Sequence, residues 1–238
     1  MMNLIMPMAG RGSRFAKEGI AVPKPLIDVR GRPMYAWATE SLPLSLCSNL
    51  IFICLREHLE QTPLRNDIES RYGRYSPTII SLDHVTQGQA CTVLLAEQFI
   101  DNDTPLLIFN ADTYCRTTLE NTLPALSPEV AGILGVFRAA GDRWSFARTD
   151  ADGRVVETSE KRRISDLACT GLYHFARGKD FVRYAHAVIS DNERVNGEFY
   201  VAPIYNRMIR EGRDIRVDVA EEAWPLGTPE DLQHFLAQ

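Results

Sequence analysis

Apolar residues are distributed along the chain in short unbroken runs. Leu4-Ile5-Met6-Pro7-Met8 is the first and leads directly into a glycine-rich segment. A run that is apolar at successive positions suits a strand buried on both faces, as in a parallel sheet. The same pattern recurs at Leu50–Leu55, Thr78–Leu82 and Leu106–Phe109. Segments of helical character separate these runs, and Ala90–Phe99 is long enough for a crossover helix. The alternation predicts an α/β fold with a three-layer, doubly wound, mostly parallel mixed sheet of Rossmann-like type.

After Ala131–Phe137 the pattern changes. Trp144–Thr149 and Arg154–Ser159 flank Asp152-Gly153, a dipeptide that favours tight turns, and predict a small β-hairpin appendage beside the sheet. Ala168–Phe175 then reads as a strand, Lys179–Ile189 and Tyr200–Arg210 as helices, and Ile215–Val219 as a final strand. Pro229–Leu236 reads as a closing helix with Thr228 as its N-cap. No repeat or linker interrupts the pattern, so residues 1–238 read as one domain with halves of about 1–115 and 116–238.

Composition narrows the function. Hydrophobic residues make up 45% and charged residues 24%, ordinary values for a chain that folds unaided. A net charge of −5 argues against an extended nucleic-acid surface, which needs many cations to neutralise phosphates. The five cysteines include no C-x-x-C pair, so neither a zinc site nor a disulfide framework is expected, and free thiols in a reducing cytosol are. The N-terminal run is short and lacks a basic flank, and no stretch reaches the roughly 18 apolar residues of a membrane span. These features predict a soluble cytoplasmic protein without a membrane or nucleic-acid partner; a homo-oligomer is left open.

Candidate chemistry begins at Ala9-Gly10-Arg11-Gly12-Ser13-Arg14, followed by Pro23-Lys24-Pro25-Leu26. Glycines after a strand let the backbone approach a phosphate, and Arg11, Arg14 and Lys24 add positive charge. The segment lacks the Gly-Lys-Ser/Thr of a Walker A loop, and Phe15 replaces the third glycine of a dinucleotide fingerprint. Alone, the loop could equally be a turn with solvated charges. Paired with Pro-Lys-Pro, it resembles the signature of sugar-phosphate nucleotidylyltransferases.

The resemblance continues in register. Gln87-Gly88 stands where the family hydrogen-bonds the nucleobase, and a glutamine amide can donate and accept at once. A polar turn capping a helix is the plain alternative. Asp112 closes the segment Leu106–Asp112, at the carboxyl end where open α/β sheets bind ligands, and the family places its magnesium ligand there; an Asx turn at a strand end is the plain alternative. Glu160-Lys161 resembles the family's Glu-Lys pair, whose lysine contacts the acceptor phosphate. Thr170-Gly171 matches a strand where glycine lets the sugar approach, and Glu198 lies where relatives hold sugar hydroxyls, although a glutamate at a helix N-terminus would look the same. The closing motif Pro225-Leu226-Gly227-Thr228-Pro229-Glu230 departs from the family at Pro225, where many members carry a second metal-binding aspartate. Asp218 is the nearest candidate substitute.

What the resemblance implies is a magnesium-dependent transfer of a nucleoside monophosphate from an NTP to a phosphorylated acceptor, with release of pyrophosphate. The first half would hold the nucleotide and the second the acceptor, a sugar 1-phosphate or a non-sugar phosphate. Gly10–Gly12, Ser13 and Arg14 would hold the triphosphate, Lys24 and magnesium on Asp112 the α-phosphate, and Lys161 the acceptor phosphate. CTP or UTP is favoured, because Gln87 suits a pyrimidine. The short form resembles enzymes of capsule and lipopolysaccharide precursor synthesis. A glycosyltransferase of related fold would be expected to carry Asp-x-Asp where this chain has Asn110-Ala111-Asp112. A silent nucleotide-binding relative would explain Pro225.

Overall fold

A computed structural model describes residues 1–238. Its centre is a nine-stranded sheet. From one edge the strands run Thr78–Leu82, Cys47–Leu55, Met2–Met8 and Leu106–Phe109, each parallel to the next. Leu167–Phe175 follows antiparallel, and beyond it the sheet divides. One branch is Val130–Arg138 with Asp214–Val219 alongside; the other is the hairpin Ser145–Thr149 and Val155–Glu160. The hairpin expected beside the sheet is thus one of its edges, joined where Ala168 pairs with Phe146.

Alternation along the central strands explains the layers. Leu4, Met6, Phe52, Leu107 and Phe109 point to one face and pack with Tyr35, Leu64, Ile68 and Tyr72. Ile5, Ile51, Ile53 and Ile108 point to the other and pack with Ala90, Val93, Phe181, Tyr184 and Tyr205. Successive strand residues face opposite ways, so a run apolar at every position needs helices on both sides. Helices Met34–Glu40 and Leu64–Tyr72 cover the first face, and Gln89–Leu94, Gly178–Ser190 and Ile204–Arg210 the second.

Three differences from the sequence reading matter. The helix expected over Ala90–Phe99 is two, Gln89–Leu94 and Glu97–Ile100. The helix expected from Tyr200 starts at Ile204, after Pro203. Proline disfavours helical geometry in the residue before it, which keeps the preceding segment extended or in turns. Finally, Thr113–Arg116 pairs with Glu222–Pro225 in a small separate sheet that no apolar period announced. That pairing sets Pro225 opposite Thr113 and carries the closing motif to the end of the strand Leu106–Phe109. The closing helix Pro229–Leu236 is as expected, with the Thr228 hydroxyl accepting from the Asp231 amide at 3.2 Å. It packs through Leu232 and Phe235 on Phe15, Ile27 and Met34, which brings the C-terminal helix beside the glycine loop.

Candidate active site

A cavity of about 460 Å³ opens at the carboxyl ends of the parallel strands. Gly10, Arg14, Lys24 and Asp112 line one part; Glu160, Thr170, Gly171 and Glu198 line another. These eight residues, singled out from distant parts of the sequence, share one wall. The structure does not bring in Ala9, Arg11, Gly12, Ser13, Gln87, Gly88, Lys161 or Asp218.

The first part is built around an ion pair. Asp112 follows the strand Leu106–Phe109, and its Oδ2 pairs with Lys24 Nζ, which also donates to the Gly227 carbonyl at 3.2 Å. Leu226 N–H donates to the Asp112 carbonyl at 2.8 Å, fixing the closing motif against the strand end. Gly12 explains how Lys24 comes so near the loop. Its φ of +62° suits glycine, and an added Cβ would lie 2.9 Å from Lys24 Cβ. Gly12 therefore supports the wall from behind.

The residues present suit magnesium. Asp112 offers a hard carboxylate oxygen to a polar cavity, and magnesium characteristically takes one or two carboxylates and completes its shell with phosphate oxygens and water. No group of three His, Cys, Asp or Glu side chains forms a ready-made metal cage. The expectation for Asp218 is corrected. Its carboxylate is buried, and it accepts from the Thr117 hydroxyl at 2.5 Å, the Thr118 amide at 3.1 Å and the Thr118 hydroxyl at 2.5 Å. It anchors the start of a neighbouring helix.

Gln87 is corrected as well. Its Oε1 accepts from Arg194 at 2.5 Å, and its carbonyl accepts from Phe199 N–H at 2.9 Å. Gly88, at φ +137°, leaves no room for a side chain, since an added Cβ would lie 2.4 Å from the Phe199 nitrogen. These two residues brace the loop. The glutamine that lines the cavity is Gln89, whose Nε2 donates to Asn110 Oδ1 at 2.6 Å.

Asn110 links the two parts. Its N–H donates to the Gly171 carbonyl at 3.2 Å, across an irregularity in the strand Leu167–Phe175 between Cys169 and Tyr173. Gly171 has φ +88°, and an added Cβ would fall 2.3 Å from Asn110 Nδ2. Glycine here creates the space that the asparagine fills. Thr170 lines the cavity, yet its Oγ1 is buried without a partner.

Glu160 ends a hairpin strand and is buried, accepting from the Ser145 hydroxyl. Burial pushes its carboxyl above the usual range, while Ser145 and the charge of Lys161 pull the other way. Lys161 stands at the rim, with Nζ 2.7 Å from the Tyr200 hydroxyl, a bond that raises the lysine pKa. Glu198 is carried by a turn in which Asn196 and Gly197 both have positive φ, 49° and 85°, rather than by a helix start. Trp144, Tyr173 and Tyr200 complete the wall, and Arg143 bridges its mouth to Asp231 at 2.6 Å.

Sequence reasoning missed Gln89, Asn110, Arg143, Trp144, Tyr173, Tyr200 and Asp231. Gln89 and Asn110 stood beside motifs already noticed, and Asp231 lies just past the closing motif. Arg143 and Trp144 follow Gly141 in a loop and carried no comparable signal.

The cavity thus joins a cationic, glycine-lined part to one bearing carboxylates, hydroxyls and aromatic rings. Residues 3–235 match the nucleotidyl transferase family. The chain belongs to that family. A solved structure, the nucleoside-diphosphate-sugar pyrophosphorylase from Vibrio cholerae RC9, is 30% identical, with 99% of this chain and all of that one covered at a TM-score of 0.82. The 2-C-methyl-D-erythritol 4-phosphate cytidylyltransferase of Xylella fastidiosa strain 9a5c is 26% identical, covering 97% of this chain and 94% of that one. The mannose-1-phosphate guanyltransferase of Pichia angusta is 27% identical over 52% of this chain, a match spanning only 33% of that protein.

Proposed function

We propose that this nucleotidyl transferase uses magnesium to move a nucleoside monophosphate from an NTP to a phosphorylated small molecule, a sugar 1-phosphate or a related polyol phosphate, and releases pyrophosphate. The observation that carries the reading is the meeting of the glycine loop, Lys24, Asp112 and the closing motif at one end of a cavity whose other end bears Glu160 and Glu198. Family membership supplies the reaction class.

In this reading the Gly10 backbone and Arg14 hold the leaving pyrophosphate, and Lys24 neutralises charge gathering on the α-phosphate. Asp112 would hold magnesium, which would supply further stabilisation of the phosphate charge. Glu198, Tyr200 and the buried Glu160 hold acceptor hydroxyls, and Lys161 reaches in from the rim to the acceptor phosphate. An acceptor oxygen then attacks in line without a protein nucleophile, so catalysis comes from positioning and charge stabilisation.

CTP or UTP remains the proposed donor class. Gln87 no longer supports it; support comes from the full-length likeness to a cytidylyltransferase, and Gln89 becomes the amide available to a base. The product would serve capsule or lipopolysaccharide precursor synthesis in the cytoplasm, and no helix is long and apolar enough to cross a membrane. The test is pyrophosphate release with magnesium across the four NTPs and a panel of sugar and polyol phosphates. Release with one pair, lost in Asp112→Ala, supports the proposal; silence across the panel despite NTP binding contradicts it.

A further inference from the structure

Asp112 Oδ2 has a cation beside it, the ammonium of Lys24. Both side chains are partly shielded, with relative exposures of 20% and 29%, so solvent screens their interaction less than it would a surface pair. A divalent cation on that oxygen would stand next to Nζ and meet its repulsion. A second carboxylate could relieve the conflict by giving the metal another hold, but Pro225 supplies none. Asp218 is committed to Thr117 and Thr118, and Asp231 to Arg143 and Thr228. Glu160 is occupied with Ser145, and it and Glu198 line the other part of the cavity.

We propose that Lys24 and the divalent cation are alternative partners of one Asp112 oxygen, so that metal and nucleotide enter this site together. The proposal rests on reading Asp112 as the metal ligand and Lys24 as a phosphate contact. Gly10 and Arg14 line the same part of the cavity as Lys24, so a phosphate seated on the glycine loop would lie beside it. Such a phosphate offers the ammonium a new anionic partner on a flexible four-carbon stem, while the Gly227 carbonyl at 3.2 Å remains a second acceptor. Once Lys24 turns to the phosphate, Asp112 is free for the cation. The pair thereby disfavours metal binding without nucleotide and makes the two ligands mutually reinforcing.

The test uses Mn²⁺ as the probe, with loss of the free-ion electron paramagnetic resonance signal reporting binding to nucleotide-free protein. Wild type binds weakly; Lys24→Met and Lys24→Gln bind roughly tenfold tighter or more, as expected when a competing charge is removed from a carboxylate. Lys24→Arg stays near wild type, and adding Asp112→Asn to Lys24→Met abolishes the gain. Neutral variants that fold, by thermal melting, yet bind no tighter overturn the proposal, as does a gain that survives Asp112→Asn. Should both neutral variants fail to fold, water-proton relaxation on wild type decides: enhancement by Mn²⁺ with a non-hydrolysable NTP analogue and not without it is expected, and equal enhancement overturns the proposal. Failure of these titrations alongside Asp112-dependent pyrophosphate release would leave the functional reading standing. Tighter binding in an enzyme that never releases pyrophosphate would instead remove the functional reading alone.

Discussion

Gln87 and Gln89, two residues apart, face different tasks: Gln87 accepts from Arg194 at 2.5 Å to brace the loop, while Gln89 donates to Asn110 at 2.6 Å in the cavity wall. The proposed base contact therefore moves from Gln87 to Gln89, whose amide lines the cavity. Gln89→Ala should change the ratio of kcat/KM among the four NTPs by about tenfold or more, since a lost hydrogen bond in a specific site is worth roughly 1–3 kcal/mol. Gln87→Ala should lower stability and leave that ratio unchanged.

Gly227 stands close to the ion pair. An added Cβ would lie 3.1 Å from Asp112 Oδ2 and 3.7 Å from Lys24 Nζ, near enough to crowd the carboxylate without forcing the backbone to move. Gly227→Ala should fold with a melting temperature near wild type and lose activity by about tenfold to a hundredfold, the scale expected for small misplacements of reacting groups. Steady-state kinetics beside a thermal melt checks both halves.

Gly171→Ala should behave differently. Its φ of +88° and the 2.3 Å approach to Asn110 mean that a methyl group both strains the backbone and evicts a packed side chain. A loss of about 1–3 kcal/mol from overpacking is expected, with a further contribution from the backbone, read as a lower urea midpoint.

His174 provides a pH prediction. It lies buried on the strand Leu167–Phe175 with no partner for Nδ1, and burial lowers its pKa to about 4. The folded state binds its proton less readily than the unfolded state, so this contribution to stability is full above the unfolded value near 6.5 and is lost as pH falls through the window down to about 4. The shift corresponds to about 3 kcal/mol as an order of magnitude. His174→Leu should flatten that part of the stability curve in urea titrations between pH 7 and 4; an unchanged slope would assign the acid sensitivity elsewhere.

Much of the fold was legible because the central strands are apolar at successive positions, and Leu106–Phe109 occupies the expected residues. That Gly10, Lys24 and Asp112 line one cavity was foreshadowed by compact motifs, a glycine loop followed by Pro-Lys-Pro and a carboxylate just past an apolar strand. The pairing of Thr113–Arg116 with Glu222–Pro225 was not, since short strands more than 100 residues apart leave no local period. Asp218 misled because closeness in sequence says nothing of direction, and its carboxylate turns to two threonines. The choice between Gln87 and Gln89 depends on Arg194, over 100 positions away.

The most direct measurement follows the phosphorus. With the active NTP and acceptor and magnesium, label at the α-phosphate should appear in an acceptor-linked nucleotide and label at the γ-phosphate in pyrophosphate, both lost in Asp112→Ala. Transfer of the γ-label to the acceptor, or α-label retained in free NTP while Asp112→Ala behaves as wild type, would contradict the account.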